Sequence, residues 1–265
     1  MKADELKYIV REKYTEIAHN SLIENNSGCC GTSSCCGDLE ISMIGDEYDG
    51  VDGHVADADL GLGCGIPTQF ANLKEGDSVL DLGSGAGNDC FVARKIVGEG
   101  GAVVGLDFTD AMITKARRNN EKLGYQNVSF VQGDIEEMPL EDNRFDVILS
   151  NCVLNLVPDK QKAFAEMYRV LKSGGHFCVS DVVLKGELPE ALKKDAEMYA
   201  GCVSGASQID EYLKIISDAG FRDIQIHKEK VISIPQRLIE QYLKPNETFN
   251  PVENGIFSIT VSANK

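Results

Sequence analysis

The run Ser78-Val79-Leu80-Asp81-Leu82-Gly83-Ser84-Gly85-Ala86-Gly87 constrains this chain more than any other segment. A short apolar strand enters a glycine-rich turn, and the pattern predicts a helix over residues 88–97. Glycines let the backbone approach a ligand closely, and the following helix offers it free N–H groups. The dinucleotide fingerprint G-x-G-x-x-G needs a third glycine where this chain has Asn88. A tighter G-x-G-x-G turn after an aspartate suits a ligand without pyrophosphate. Asp81 suits a cationic amine, because a carboxylate attracts an ammonium strongly in a sheltered cleft.

The same alternation continues downstream. Residues 102–107, 128–131, 145–150 and 176–183 read as strands, with helices over 111–123 and 160–171. Strands apolar on both faces and separated by helices predict a doubly wound, mostly parallel sheet of Rossmann-like α/β type. After Gly186 the alternation lapses: helices are expected over 189–200 and 208–219, then strands over 224–232 and 256–261. Only a short connection and one helix separate them, so they can complete a seven-stranded sheet as an antiparallel pair. Upstream, residues 4–20 read as a charged helix, 27–37 as a cysteine-rich loop and 45–65 as irregular, Asp- and Gly-rich chain. That last stretch is no calcium loop: counting from Asp57, the twelfth position is Thr68, not Glu. Three parts follow: an N-terminal helix and cysteine-rich segment (1–65), a ligand-binding core (66–185), and an insertion with the final strands (186–265).

Composition narrows the partners. An apolar fraction of 43% supports a sizeable core. With 26 basic and 42 acidic residues the formal charge is −16, which repels phosphate backbones and anionic membranes. The longest apolar runs, such as Val147-Ile148-Leu149, fall far short of the ~20 residues a membrane span needs. The start, Met1-Lys2-Ala3-Asp4-Glu5, has no signal-peptide pattern. A cytoplasmic protein that binds neither nucleic acid nor membrane is expected.

Two further acids fit the glycine turn. Asp107 ends the second strand twenty positions after Gly87, where a carboxylate can take both hydroxyls of a ribose. Gly133-Asp134-Ile135 follows the third strand and offers Asp134 to an adenine amino group, with Ile135 against the ring. The plainer alternative is ordinary α/β turn chemistry. Together these residues resemble the S-adenosylmethionine-dependent methyltransferases of Rossmann-like class. The matching motifs are Val79–Gly87, Gly105-Leu106-Asp107, Gly133-Asp134-Ile135-Glu136 and Ser173-Gly174-Gly175. The resemblance implies that Asp81, Gly83, Ser84, Gly85 and Gly87 cradle the methionine end of the donor. It also implies Asp107 on the ribose and Met112 and Ile135 flanking adenine; Asn88 and Asn151 are counted with this site.

Nine cysteines remain to be explained. Cys90, early in a helix, and Cys178, mid-strand, read as core. Cys64 lies in Gly63-Cys64-Gly65-Ile66-Pro67, Cys152 follows the fourth strand beside the donor cleft, and Cys202 lies in the insertion. Three thiolates without a histidine suit a soft thiophilic centre. Zinc would ask for four ligands, and no C-x-x-C pair is present. A trivalent, pyramidal metalloid accepts three sulfurs and keeps a lone pair that can attack a sulfonium methyl without a general base. None of His19, His54, His176 or His227 sits in a catalytic-looking motif.

The combination resembles the arsenite methyltransferase family. Its marks are Gly63–Pro67, Asn151-Cys152-Val153-x-Asn155, Gly201-Cys202, and the pairs Cys29-Cys30 and Cys35-Cys36. The resemblance implies trivalent arsenic on Cys64, Cys152 and Cys202, with S-adenosylmethionine as co-substrate and no metal cofactor. It implies arsenite and methylated arsenicals as substrate and products, and a disulfide between Cys64 and Cys36 or Cys35 during turnover. A thioredoxin-like dithiol reductant is the implied partner. Cys29, Cys30, Cys35 and Cys36 then relay oxidation outward; a metal clip, a second arsenic site and a functionless thiol-rich loop are the alternatives for that cluster. Two other readings stand beside the whole: a methyltransferase for a small organic acceptor, and a metalloid-binding protein without turnover.

Overall fold

The computed structural model describes residues 3–24, 48, 50–187, 205–233 and 253–265. Helix α1 spans Ala3–Glu24. There follow β1 (Ser78–Leu82), α2 (Asn88–Val97), β2 (Ala102–Asp107), α3 (Asp110–Leu123) and β3 (Val128–Gln132). The chain continues through β4 (Phe145–Asn151), α4 (Lys160–Val170), β5 (Leu171–Lys185), α5 (Ile209–Asp218), β6 (Arg222–Ile232) and β7 (Gly255–Asn264). The expected helix over 189–200 lies outside the described residues.

All seven strands form one sheet in the order β3-β2-β1-β4-β5-β7-β6. The first five are parallel, and β7 pairs antiparallel with both β5 and β6. Successive residues of a strand face opposite sides of the sheet, so an all-apolar strand must be covered twice. Leu80, Leu82, Val104, Leu106 and Ile148 face one layer, where Phe164 and Met167 of α4 and Tyr212 and Ile216 of α5 cover them. Val79, Val103, Val147 and Leu149 face the other, under Cys90, Phe91 and Val97 of α2 and Ile113 and Ala116 of α3. Near α5 the first layer is aromatic: Phe221 meets Phe177 edge-on with ring centroids 4.8 Å apart. β6 is the half-exposed edge and carries Lys228, Glu229 and Lys230, charges that discourage pairing with another chain.

Strand order reverses between β1 and β4, so the connections leaving their carboxyl ends run in opposite directions, which is where such sheets open a crevice for ligands. No helix among the described residues is long and apolar enough to cross a membrane.

Candidate functional site

The crevice at the ends of β1 and β4 holds a half-open cavity. Its floor is the predicted turn. Gly83 takes a φ of +65°, and a β-carbon on it would overlap the Val153 side chain. The Gly83 and Ser84 amides donate to the Leu106 carbonyl, tying the turn to the end of β2. Gly85, at φ +51°, faces open space and donates its N–H to Asp107 Oδ2 at 3.0 Å. Ser84 Oγ is buried and has no hydrogen-bond partner among the described residues. A hydroxyl left unsatisfied costs stability unless a ligand completes it, so the cradle suits a polar ligand lying over the turn.

The acids around it point to a cation. Burial, then the neighbouring Asp89 carboxylate and Asp107, push the Asp81 carboxyl well above its usual range. The Cys90 thiol donates to Asp81 Oδ2 at 3.2 Å and opposes that shift only in part. Asp89 is raised by burial too, against hydrogen bonds from Tyr48 and Asn151. Carboxyls whose charged form is disfavoured by desolvation and by one another favour a positive ligand group beside them.

Asp107 is held by two amides, accepting from Thr109 N at 2.8 Å on Oδ1 and from Gly85 N on Oδ2. Asp134 is already engaged: its Oδ2 accepts from Lys7 Nζ at 2.6 Å, and Lys7 also reaches Glu136. Lys7, Val10 and Tyr14 of α1 wall this end of the cavity, and Arg11 lies over the Phe108 ring at 5.3 Å. Of the residues predicted for the donor, Asp81, Gly83, Ser84, Gly85, Asn88, Asp107, Asp134, Ile135 and Asn151 line the cavity. Met112 and Gly87 do not. Met112 is buried in α3, and Phe108 and Thr109 stand at the cavity wall instead. Gly87, at φ +99°, turns the chain into α2 against Phe91 and Phe130.

The thiols lie next door. Cys152 lines the cavity, and Cys64 adjoins it through Gly63. Both belong to one small buried cluster with Val182, Leu184 and Ile256, although 88 positions separate them in sequence. Cys152 has a φ of +59°, a left-handed conformation unusual for a side-chain-bearing residue. It is pinned there by its N–H, which donates to the Ser180 carbonyl at 2.7 Å. The Cys64 carbonyl accepts from Ser258 Oγ at 2.6 Å, so the end of the sheet fixes both. Cys90 and Cys178 are fully buried core thiols, and burial pushes Cys178 up to about 12. Cys202, Cys29, Cys30, Cys35 and Cys36 lie outside the described residues.

Sequence reasoning missed several wall residues. Tyr48 donates to Asp89 Oδ1 at 2.6 Å, and neither residue sits in a motif of the turn. Lys7, Val10 and Tyr14 recur at i, i+3 and i+7, a helical face that signals packing but not against what.

The fold and the crevice define a Rossmann-like methyltransferase domain, and residues 73–220 match the methyltransferase domain family. The chain is 43% identical over 236 residues to an arsenite methyltransferase of Halobacterium salinarum and 35% identical over 243 residues to one of Aquipseudomonas alcaligenes. These alignments take in 84% and 88% of this chain, but 59% and 67% of the respective relatives, which are longer proteins. A crystal structure of an arsenic(III) S-adenosylmethionine methyltransferase from Chlamydomonas reinhardtii superposes with a TM-score of 0.65 at 36% identity. That superposition covers 77% of this chain and 67% of the other. The chain belongs to the arsenite methyltransferase family.

Proposed function

We propose that this protein methylates trivalent arsenic with S-adenosylmethionine. The observation that carries the reading is that Cys64 and Cys152 share one buried cluster at the edge of the crevice, beside the Asp81–Asp89 pair. The donor supplies a methyl group on a sulfonium. In this reading Asp81 and Asp89 face its cationic end, Ser84 and Gly85 receive its polar groups, and Asp107 takes the ribose. Residues 66–185 serve the donor and contribute Cys152, while 1–65 contribute Cys64 and the N-terminal cysteines and 186–265 contribute Cys202.

Arsenous acid exchanges its three hydroxyls for the sulfurs of Cys64, Cys152 and Cys202, and each thiol proton leaves with a hydroxyl as water. Few thiols are ionised at neutral pH, so bond formation to arsenic drives their deprotonation. The arsenic lone pair then attacks the methyl in line, and S-adenosylhomocysteine departs with the sulfonium electron pair. Alignment is the main lever, worth up to ~7–11 kcal/mol in well-oriented systems. Methylation leaves arsenic formally pentavalent. Two thiols closing a disulfide return two electrons to it, Cys64 with Cys36 or Cys35 in this reading, and exchange through the N-terminal cysteines passes the oxidation to an external dithiol.

The test is transfer of labelled methyl from S-adenosylmethionine to arsenite in the presence of a dithiol. Methylated arsenicals are expected. Label on an organic acceptor alone, or bound arsenic with no methylated product, would overturn the assignment.

A further inference from the structure

The side-chain amide of Asn151, the last residue of β4, makes contacts on both of its ends. Its Oδ1 accepts from the Cys64 N–H at 2.9 Å and from the Gly65 N–H at 3.3 Å. Its Nδ2 donates to the Gly65 carbonyl at 2.8 Å, and meets Tyr48 Oη at 2.9 Å and Asp89 Oδ2 at 3.1 Å. A single amide thus clamps the peptide units on either side of Cys64, while Tyr48 and Asp89 fix which way the amide points.

The flanking glycines have a reason in this contact. A β-carbon on Gly63 would come 2.7 Å from Asn151 Nδ2, and one on Gly65 would come 2.5 Å from Ser180 Oγ. The Gly-Cys-Gly element is therefore bare backbone so that it can lie directly on Asn151 and Ser180. The neighbour of Asn151 in the chain is Cys152, so one residue fixes the first thiol through space and the second through a peptide bond.

We infer that Asn151 is a positioning residue for Cys64: its amide holds the Gly63–Gly65 backbone against the end of β4 and so sets the Cys64–Cys152 spacing that arsenite needs. The inference rests on the arsenite reading above for its purpose, not for its geometry. It assigns to Asn151 a task separate from lining the donor cavity. Asn151→Ala removes both ends of the clamp. Asn151→Asp keeps the acceptor for the two N–H groups but loses the donor and sets a second carboxylate against Asp89.

The experiment uses the full, reduced chain without donor. Iodoacetamide labelling of Cys64 and Cys152 is followed peptide by peptide, arsenite affinity is measured by protection from that labelling, and S-adenosylhomocysteine affinity is measured separately. In Asn151→Ala, Cys64 is expected to alkylate about tenfold faster and arsenite to bind about tenfold more weakly, the scale of a lost buried hydrogen-bond pair. Cys152, Cys90 and Cys178 keep their wild-type rates. Gly63→Ala is the second variant: it displaces the amide without removing it, and the same selective change at Cys64 is expected. Equal acceleration at all four cysteines would mean general loosening and would overturn the inference. So would unchanged Cys64 labelling and arsenite affinity with only S-adenosylhomocysteine binding weakened, which would leave Asn151 a donor contact. If arsenite fails to protect Cys64 in the wild-type protein, the arsenite reading falls, while the labelling contrast at Cys64 still decides the role of Asn151.

Discussion

Asp107 shows how one carboxylate can be fixed in place and still be open to a ligand. Each oxygen accepts a backbone amide, Gly85 N on one and Thr109 N on the other, and each keeps lone-pair capacity toward the cavity. Asp107→Ala is expected to weaken S-adenosylhomocysteine binding by about ten- to hundredfold, the worth of charge-assisted hydrogen bonds. Unchanged affinity by calorimetry would remove Asp107 from the ribose site. Asp181 on β5 makes a different prediction. It accepts from the Tyr212 hydroxyl at 3.0 Å, and burial pushes it up to about 7 although Lys160 pulls the other way. The native state therefore holds a proton that the unfolded chain has lost across the window from about pH 4 to about pH 7. Stability contributed by this group is present at the acid end and is lost as pH rises through that window, by up to about 4 kcal/mol. Asp181→Asn, which still accepts from Tyr212, is expected to flatten the fall of the urea midpoint between about pH 4 and about pH 7. Identical profiles for the two proteins would contradict this.

At the scale of elements, α1 walls the cavity proposed for the donor rather than standing apart from the core. Lys7 joins it to Asp134 and Glu136, both at 2.6 Å, and the Lys7 and Glu136 side chains are only 27% and 10% exposed. The Lys7–Glu136 pair is sheltered and screened less than a surface pair, whereas Asp134 is 41% exposed, and each pair is worth only about 1 kcal/mol. Lys7→Ala is expected to release bound S-adenosylhomocysteine about fivefold faster in stopped flow, with the wild-type rate moving the same way at high salt. A salt-independent rate, the same in both proteins, would show that α1 does not gate the adenine end. The parallel strands were legible because each carries a short stretch dominated by apolar residues, and β6 and β7 because apolar positions recur over 224–232 and 256–261, although 22 residues lie between the two strands. The start of β5 was not. Leu171 already pairs with Phe145, five residues before the predicted strand, and the register then shifts across Lys172-Ser173-Gly174-Gly175. Two glycines in a polar stretch read as a turn, and only the partner strand reveals the pairing.

Across the whole molecule, the turn and acids proposed for the donor were more legible than the cavity walls around them. Asp81, Gly83 and Asp107 announce themselves because strand, turn and acid follow one another locally. Tyr48, Asp89 and Lys7 reach the cavity through tertiary packing, and nothing in their neighbourhoods encodes it. Met112, which the family resemblance set beside adenine, is buried in α3 and is not among the residues that line the cavity. The cysteines outside the described residues carry the account's last link. Replacing Cys29, Cys30, Cys35 and Cys36 together by serine is expected to spare a first turnover and slow later ones. Equal multi-turnover rates would refute the relay. The most direct test of the central claim is arsenic X-ray absorption on the donor-free, reduced protein loaded with arsenite. Three sulfur neighbours around arsenic are expected, falling to two in each of Cys64→Ser, Cys152→Ser and Cys202→Ser. Fewer than three in the wild type, or three retained in any of these variants, would contradict it.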